Sequence, residues 1–177
     1  MALPKIEIKD TKKYGKGSFA GEDIAKGEVI KTLTGEIISL SECKRRVAAG
    51  EESIDDPLQI DEEIFLDVDE LSKTFNHSCD PNAGLRKTSE LFALRDIKRG
   101  EEITFDYSTT VGPNITASMW AMVCHCNSEN CRKEIGNILT LPPKTLEKYR
   151  NSGALQDYII RLLDQPEVNE RRKSVKE

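Results

Sequence analysis

From residue 1 to about 120, apolar residues occur in short runs that alternate with polar ones and end at glycine-containing turns. A period of two interrupted by frequent turns predicts β-strands rather than helices. The predicted strands are "KIEIK" (5–9), "GEVIKTL" (27–33), "GEIIS" (35–39), "ELFALRDI" (90–97) and "EEITFDY" (101–107), with a hairpin in "PLQIDEEIFLDV" (57–68) turning near Asp61–Glu63 and a turn at Lys98–Gly100. The pattern therefore predicts a mainly β fold with short helices.

Helical patterns occur in three places. Residues 39–50 begin with a capping box, Ser39 and Glu42, and end at Gly50. The stretch "LPPKTLEKYRNSG" (141–153) opens with prolines suited to a helix N-terminus. In "GALQDYIIRLLD" (153–164) apolar residues recur at helical spacing, namely Leu155, Tyr158, Ile159, Leu162 and Leu163. The charged end "NERRKSVKE" (169–177) is expected to be a frayed tail.

Composition narrows the class of protein. The chain has 177 residues, 37% of them apolar and 32% charged, which predicts one soluble globular domain with room for an appendage. Its formal net charge of −5 argues against direct nucleic-acid binding and favours basic partners.

Location is predicted from what the sequence does not contain. No apolar run has the length of a membrane span, and "MALPKIEIKD" at the N-terminus lacks the apolar block of a secretory signal. We therefore expect an intracellular protein, in the cytoplasm or the nucleus, without membrane contact; action inside a host cell stays open. In a reducing compartment the five cysteines are expected to be thiols or metal ligands.

Three cysteines cluster in "CHCNSENC", at Cys124, Cys126 and Cys131. Zinc takes four such ligands in a tetrahedron, so one position remains for water or for a distant residue. We prefer Cys79 to Cys43 as the fourth ligand, because a thiol held in a turn is easier to recruit than one on a helix. The alternative is a set of unliganded surface thiols.

Cys79 belongs to "FNHSCDPN" (75–82), where a catalytic dyad, a metal site and an ordinary turn are all open. Zinc ligation would account for Cys79 and would fix this segment beside the C-terminal cysteines. It leaves Asn76 and His77 unexplained. For a lone histidine, packing or hydrogen bonding is the more common role than catalysis.

Four motifs in this order resemble SET-domain protein lysine methyltransferases that carry a post-SET zinc segment. "YGKGSFA" (14–20) resembles the Gly-x-Gly motif, "FNHSCDPN" the Asn-His-Ser-Cys motif, "GEEITFDY" (100–107) the catalytic strand, and "CHCNSENC" the post-SET cysteines. The resemblance covers roughly residues 5–135, and without a pre-SET cysteine cluster it points to the compact, free-standing members.

The resemblance implies a SET fold of small curved β-sheets with the Asn-His segment threaded under a loop. It divides the chain into a SET domain (1–120), a post-SET zinc segment (121–136) and a C-terminal helical extension (137–177). The extension is a candidate for dimerisation or substrate docking, or it simply caps the core.

The implied reaction is methyl transfer from S-adenosylmethionine to a lysine of a basic protein, for instance a histone. Tyr107 would be the catalytic residue and would also contact the cofactor. The other implied cofactor-binding residues are Gly15, Lys16, Gly17, Asn76 and His77. Cys79, Cys124, Cys126 and Cys131 would hold a structural zinc, since four thiolates leave no coordination site for water.

The resemblance also implies a substrate channel. Phe105 occupies the Phe/Tyr switch position, where phenylalanine leaves room for a second and third methyl group. Trp120 and Met119 would line the channel or cover the cofactor, or they would anchor the zinc loop. Leu58 or Gln59 stands where many relatives have a second channel tyrosine.

In the post-SET motif, Asn127 and the pair Arg132–Lys133 replace a glycine and an Arg-Gly pair. Asparagine tolerates a left-handed backbone, so the turn is expected to survive. Two other function classes stay open: a catalytically silent SET-like binding module and a zinc-stabilised nucleic-acid binder. Retention of Tyr107, Asn76 and His77 argues against the first, and the acidic charge argues against the second.

Overall fold

The computed structural model describes residues 3–11 and 15–168, so the predicted tail (169–177) lies outside the described residues. Within these ranges ten short strands and three α-helices are formed. The strands are β1 (Ile6–Thr11), β2 (Gly15–Ala20), β3 (Val29–Thr32), β4 (Gly35–Ser39), β5 (Leu58–Asp61), β6 (Ile64–Val68), β7 (Ala83–Arg86), β8 (Glu90–Ala93), β9 (Met122–Val123) and β10 (Glu134–Ile135). The helices are α1 (Leu40–Ala49), α2 (Pro143–Asn151) and α3 (Asp157–Leu163).

The strands form four small antiparallel sheets, which confirms the predicted mainly β fold. Their strand orders are β1-β2, β3-β8-β7, β4-β6-β5 and β10-β9. The predicted hairpin of residues 57–68 is β5 and β6, and "GEIIS" is β4. Passage of the Asn-His segment under a loop stays a prediction, although His77 pairs in parallel with Phe105.

Helix α1 begins and ends as predicted. The Ser39 hydroxyl accepts a hydrogen bond from the Glu42 backbone N–H at 3.2 Å, and Gly50 ends the helix with φ 69°. The Glu42 carboxylate pairs with Arg45 and Arg46. In a complete capping box the glutamate side chain would bond back to the backbone N–H of Ser39. Here the Glu42 carboxylate pairs with the two arginines instead.

The prediction of a strand over residues 101–107 was wrong in detail. This segment is extended but forms only single bridge pairs, Phe19 with Glu102 and His77 with Phe105, and a 3-10 turn begins at Tyr107. The Asn82 side chain occupies part of the backbone pairing, because it accepts from the Thr104 N–H and donates to the Glu102 carbonyl. Strand β7, which contains Gly84, was not predicted.

Helices α2 and α3 carry a second hydrophobic core. Pro142 caps α2 and Pro143 opens it, as the sequence predicted. Buried side chains of both helices pack with Phe92 of β8. Residues 137–168 therefore cover the β3-β8-β7 sheet, while the proposed boundaries at 120 and 136 stay predictions. No helix in the described ranges combines the length and apolar character needed to cross a membrane.

Candidate active site and zinc centre

The cysteine cluster brings together residues that are far apart in the sequence. The sulfur atoms of Cys79, Cys124, Cys126 and Cys131 all lie within 4.8 Å of one another. Cys79 Sγ and Cys124 Sγ are 3.7 Å apart, against about 3.8 Å for two thiolates on a tetrahedral zinc with Zn–S bonds of about 2.3 Å. The four sulfurs fit a structural zinc site, which confirms the predicted ligand set, and Cys43 in α1 is not part of it.

Two residues in left-handed backbone shape the loop that carries three of these cysteines. Asn127 has φ 58°, and Lys133 has φ 67°. Asparagine adopts this region at low cost, whereas lysine does so rarely. The expected turn at Asn127 is therefore present, and at Lys133 it forms without glycine.

A buried ion pair attaches the zinc loop to the segment that bears Tyr107. Arg132 donates two hydrogen bonds to the Asp106 carboxylate, at 2.6 and 2.7 Å, and Asp106 is only 1% exposed. The Tyr149 hydroxyl of α2 donates to the same carboxylate at 3.0 Å. Because removing one partner of such a pair leaves an uncompensated buried charge, these three elements are fixed relative to one another.

His77 lies between Tyr107 and the zinc cluster. Its Nδ1 accepts from the Tyr107 backbone N–H at 3.2 Å, and its Nε2 is 3.3 Å from Cys79 Sγ. Burial lowers the pKa of His77 to about 4, although the nearby Asp106 opposes this shift. The ring is therefore neutral at pH 7, and Nε2 carries the hydrogen that faces the sulfur.

Tyr107 lines an apolar cavity of about 390 Å³. We call this cavity, which is lined mainly by α1, residues 54–59 and residues 105–120, the α1 pocket. The Tyr107 hydroxyl donates to the Phe75 carbonyl at 2.9 Å, and the Phe105 ring centroid lies 4.8 Å from that of Tyr107. The predicted catalytic tyrosine and the predicted switch residue are therefore neighbours in one cavity.

Trp120 and Met119 also line the α1 pocket, as do both candidates for the missing channel tyrosine, Leu58 and Gln59. The Trp120 Nε1–H donates to Asp55 at 3.0 Å. Its ring also packs in the hydrophobic cluster that contains Cys79 and Cys124. Both alternatives for Trp120, channel wall and anchor of the zinc loop, match this placement.

Of the predicted cofactor residues, His77 lines a second, polar cleft of about 530 Å³, whereas Gly15, Lys16, Gly17 and Asn76 are not part of its lining. His77 and Glu102 line this cleft. The Asn76 amide donates to Glu102 Oε1 at 2.8 Å and to the Lys16 carbonyl at 3.1 Å. A Cβ at Gly17 would lie 2.7 Å from Glu102 Oε1 and 3.0 Å from Asn76 Nδ2. A side chain at this position would therefore collide with these two hydrogen-bonded residues. Gly15 begins β2 with φ 73°.

Tyr107 of the α1 pocket and His77 of the cleft are in contact, with ring centroids 5.4 Å apart, so this ring pair is the junction between the two cavities. Sequence reasoning missed three residues that build this junction: Glu102, Asp106 and Arg132. The first two were within the quoted motif "GEEITFDY", and Arg132 directly follows the last zinc cysteine. Their acidic or basic character gave no sign of which partners they would meet.

Comparison with known proteins agrees with this geometry. Residues 15–108 match the family model described as SET domain. The chain therefore belongs to the SET-domain family, as the four motifs predicted.

Several relatives show how the chain compares with longer proteins. It is 34% identical over 143 residues to the variant-silencing SET domain-containing protein of Plasmodium falciparum, which covers 71% of this chain and 5% of that protein. It is 34% identical over 146 residues to the human histone-lysine N-methyltransferase, H3 lysine-36 specific, covering 75% and 5%. The chain thus spans about one-twentieth of the length of these relatives.

Among solved structures, the Polycomb Repressive Complex 2 of Chaetomium thermophilum, in an autoinhibited conformation bound to S-adenosylmethionine, matches with a TM-score of 0.57. The identity is 30%, and the match covers 67% of this chain and 17% of that chain. The similarity to this structure is a similarity in the fold of the SET domain.

Proposed function

We propose that this protein is a protein-lysine N-methyltransferase that uses S-adenosylmethionine and acts on a histone or another basic protein. One observation carries the proposal: the Tyr107 hydroxyl is held on the Phe75 carbonyl in an apolar pocket that adjoins a polar cleft. The histone methyltransferases among the relatives support the reaction class. They also support an intracellular location.

The direct test is methyl transfer. The purified protein, incubated with methyl-labelled S-adenosylmethionine and histones or lysine peptides, is expected to transfer label to lysine. Cofactor binding without any transfer would favour the catalytically silent module instead. The labelled protein in a whole-cell extract would then identify the substrate.

The polar cleft is our proposed cofactor site. Lys16, Gly17 and Asn76 lie next to Glu102, which lines the cleft. When bound, S-adenosylmethionine supplies an electrophilic methyl group on a positively charged sulfur. A cleft of this size falls within the range of small-molecule sites, roughly 300–1,000 Å³. Acidic lining residues, including Asp80 and Glu102, suit a ligand with two positive charges.

Glu102 is expected to orient Asn76 for the amino-acid end of the cofactor. Both hydrogens of the Asn76 amide are donated, to Glu102 and Lys16, so Oδ1 is the atom that can accept from an ammonium group. Glu102→Gln is expected to weaken S-adenosylhomocysteine binding about tenfold or more, the usual cost of losing a charged hydrogen bond. Methylthioadenosine, which lacks the amino-acid group, should bind unchanged.

Calorimetric titration of both ligands checks this expectation. The matched control is Glu90→Gln, because the Glu90 carboxylate is held by Arg86 and Lys87 and lines neither cavity. An equal loss of affinity for both ligands in Glu102→Gln would mean that Glu102 supports the fold and not the ammonium.

The α1 pocket is our proposed lysine site, and its apolar walls have a chemical use. An amine must lose its proton before it can attack a methyl group. Burial among Phe105, Trp120 and Met119, together with a nearby sulfonium charge, lowers the pKa of a lysine. Tyr107 then orients the neutral amine, so that alignment is the main contribution of the protein.

Phe105 is expected to permit di- or trimethylation. Phe105→Tyr would add a hydroxyl beside Tyr107, restrain the amine and shift the products towards monomethyl-lysine. Mass spectrometry of a methylated peptide at complete turnover measures the distribution. An unchanged distribution, with activity retained, would contradict the switch role; Phe92→Tyr, in the second core, is the control for adding a hydroxyl elsewhere.

We further propose the division suggested by the sequence: SET domain to residue 120, post-SET segment 121–136, helical extension 137–177. The position of three zinc ligands between 124 and 131 supports the middle unit. The Tyr149–Asp106 hydrogen bond supports a capping role for the extension. Dimerisation through it stays open.

A further inference from the structure

The α1 pocket is larger than one lysine requires. Lysine is an unbranched chain, whereas about 390 Å³ falls in the range of cavities that hold a drug-sized ligand, roughly 300–1,000 Å³. Tyr107 and Phe105 line only part of this space. Residues of α1 line it as well, so the pocket has room for a second group.

Helix α1 itself indicates what that group is. Its apolar residues Leu40 and Val47 line the pocket, yet no residue of the helix is fully buried. An amphipathic helix normally buries its apolar stripe against the core. Here that stripe faces the cavity, which Trp120 and Ile54, the latter 46% exposed, also line. The space therefore offers apolar contacts on several sides.

The charges at this end favour a basic substrate. Asp55 and Asp56 line the pocket next to Ile54. Lys73 also lines it, but Glu52 neutralises this lysine at 3.2 Å, and exposed Lys44 is the other cation in the wall. A peptide with basic residues outside the pocket would meet the two aspartates.

We propose that the α1 pocket binds, besides the target lysine, a large apolar side chain located two positions away in the same substrate segment. This inference rests on the proposed function. In an extended peptide, residues i and i+2 point to the same side and lie about 7 Å apart. Leucine, isoleucine, methionine or phenylalanine at that position would cover the apolar stripe of α1.

Paired peptides test the inference. All peptides share one basic sequence with a single lysine. In the first series the residue two positions before the lysine is leucine or alanine, and in the second series the residue two positions after it is leucine or alanine. The wild-type protein is expected to favour leucine over alanine at least tenfold in kcat/KM at one of these positions, because one buried aliphatic group discriminates by about 10–200-fold.

Two variants separate the subsite from the catalytic centre. Val47→Phe should fill the space and bring the leucine-to-alanine ratio to about one. Ile54→Asn, on an exposed loop, should lower the same ratio and does not depend on repacking the helix. Ala49→Phe, on the exposed surface of α1, is the matched control and should keep the wild-type ratio.

The outcomes are distinguishable. Methyl transfer with equal rates for leucine and alanine peptides, or a ratio unaffected by both variants, would overturn the subsite and leave the proposed function intact. Absence of methyl transfer to every lysine peptide and to histones would contradict the proposed function, and this inference with it.

Discussion

Tyr107→Phe is expected to reduce methyl transfer at least 100-fold while leaving S-adenosylhomocysteine affinity within about twofold. The hydroxyl is held by the Phe75 carbonyl in the α1 pocket, where it can hydrogen-bond the reacting amine. Removal of one pre-organised hydrogen-bonding group typically costs about 10²–10³ in kcat. The ring, and with it the contact to Phe105, is retained. Single-turnover kinetics and calorimetry measure the two quantities.

Tyr158→Phe is the matched control for this change. The Tyr158 hydroxyl donates to the Thr110 carbonyl in the second hydrophobic core, and the ring is buried. Its removal should lower thermal stability slightly and preserve most of the activity. If Tyr107→Phe retained near wild-type turnover while Tyr158→Phe behaved the same way, Tyr107 would have only a packing role.

Cys131→Ser is expected to abolish stoichiometric zinc binding and to lower activity at least tenfold. The substitution replaces one of four thiolate ligands by a hydroxyl, which is a poor ligand for zinc, and the free energy of zinc binding stabilises the fold of the segment that holds the metal. That segment carries Arg132, whose ion pair with Asp106 positions the chain beside Tyr107. Losses of about 10–100-fold are common when support of a metal site is removed.

Zinc content by mass spectrometry and far-ultraviolet circular dichroism check this result. Cys43→Ser should keep one zinc per chain, because Cys43 lies in α1 outside the cluster. Near-native dichroism is expected in Cys131→Ser, since the hydrophobic core that contains Ile30, Leu85 and Ile103 includes none of the zinc ligands. Wild-type turnover in a zinc-free variant would show that the metal has no part in forming the site.

Local patterns predicted those elements whose stabilising contacts are local or repetitive. Helix α1 depends on Ser39 and Gly50 at its ends, and the 57–68 hairpin on two apolar segments that flank a polar turn. The strand prediction for 101–107 failed because the backbone groups of this segment bond to the Asn82 side chain and, one by one, to residues of β2, of β7 and of the segment around Asn76. No periodicity in a sequence reports such partners.

For the site, too, local sequence features were predictable and contacts between distant residues were not. Spacing identified three zinc ligands, and the choice of Cys79 over Cys43 was made from the turn around it and is confirmed. Motif resemblance named Tyr107, Asn76 and His77, whose catalytic and cofactor roles remain proposals. Glu102 and Arg132 were missed, because an acidic or basic side chain in a sequence is more often solvated than paired.

By itself the sequence determined the chemical groups and their family: four thiols, a phenol, an amide–imidazole pair and mainly β segments, because these depend on residue identity and spacing. Only the tertiary structure decided which groups meet. It placed His77 between Tyr107 and Cys79, paired Asp106 with Arg132 and Tyr149, and left the apolar stripe of α1 facing a cavity. Contacts between residues far apart in the chain depend on how the sheets and loops pack, and no local pattern encodes that packing.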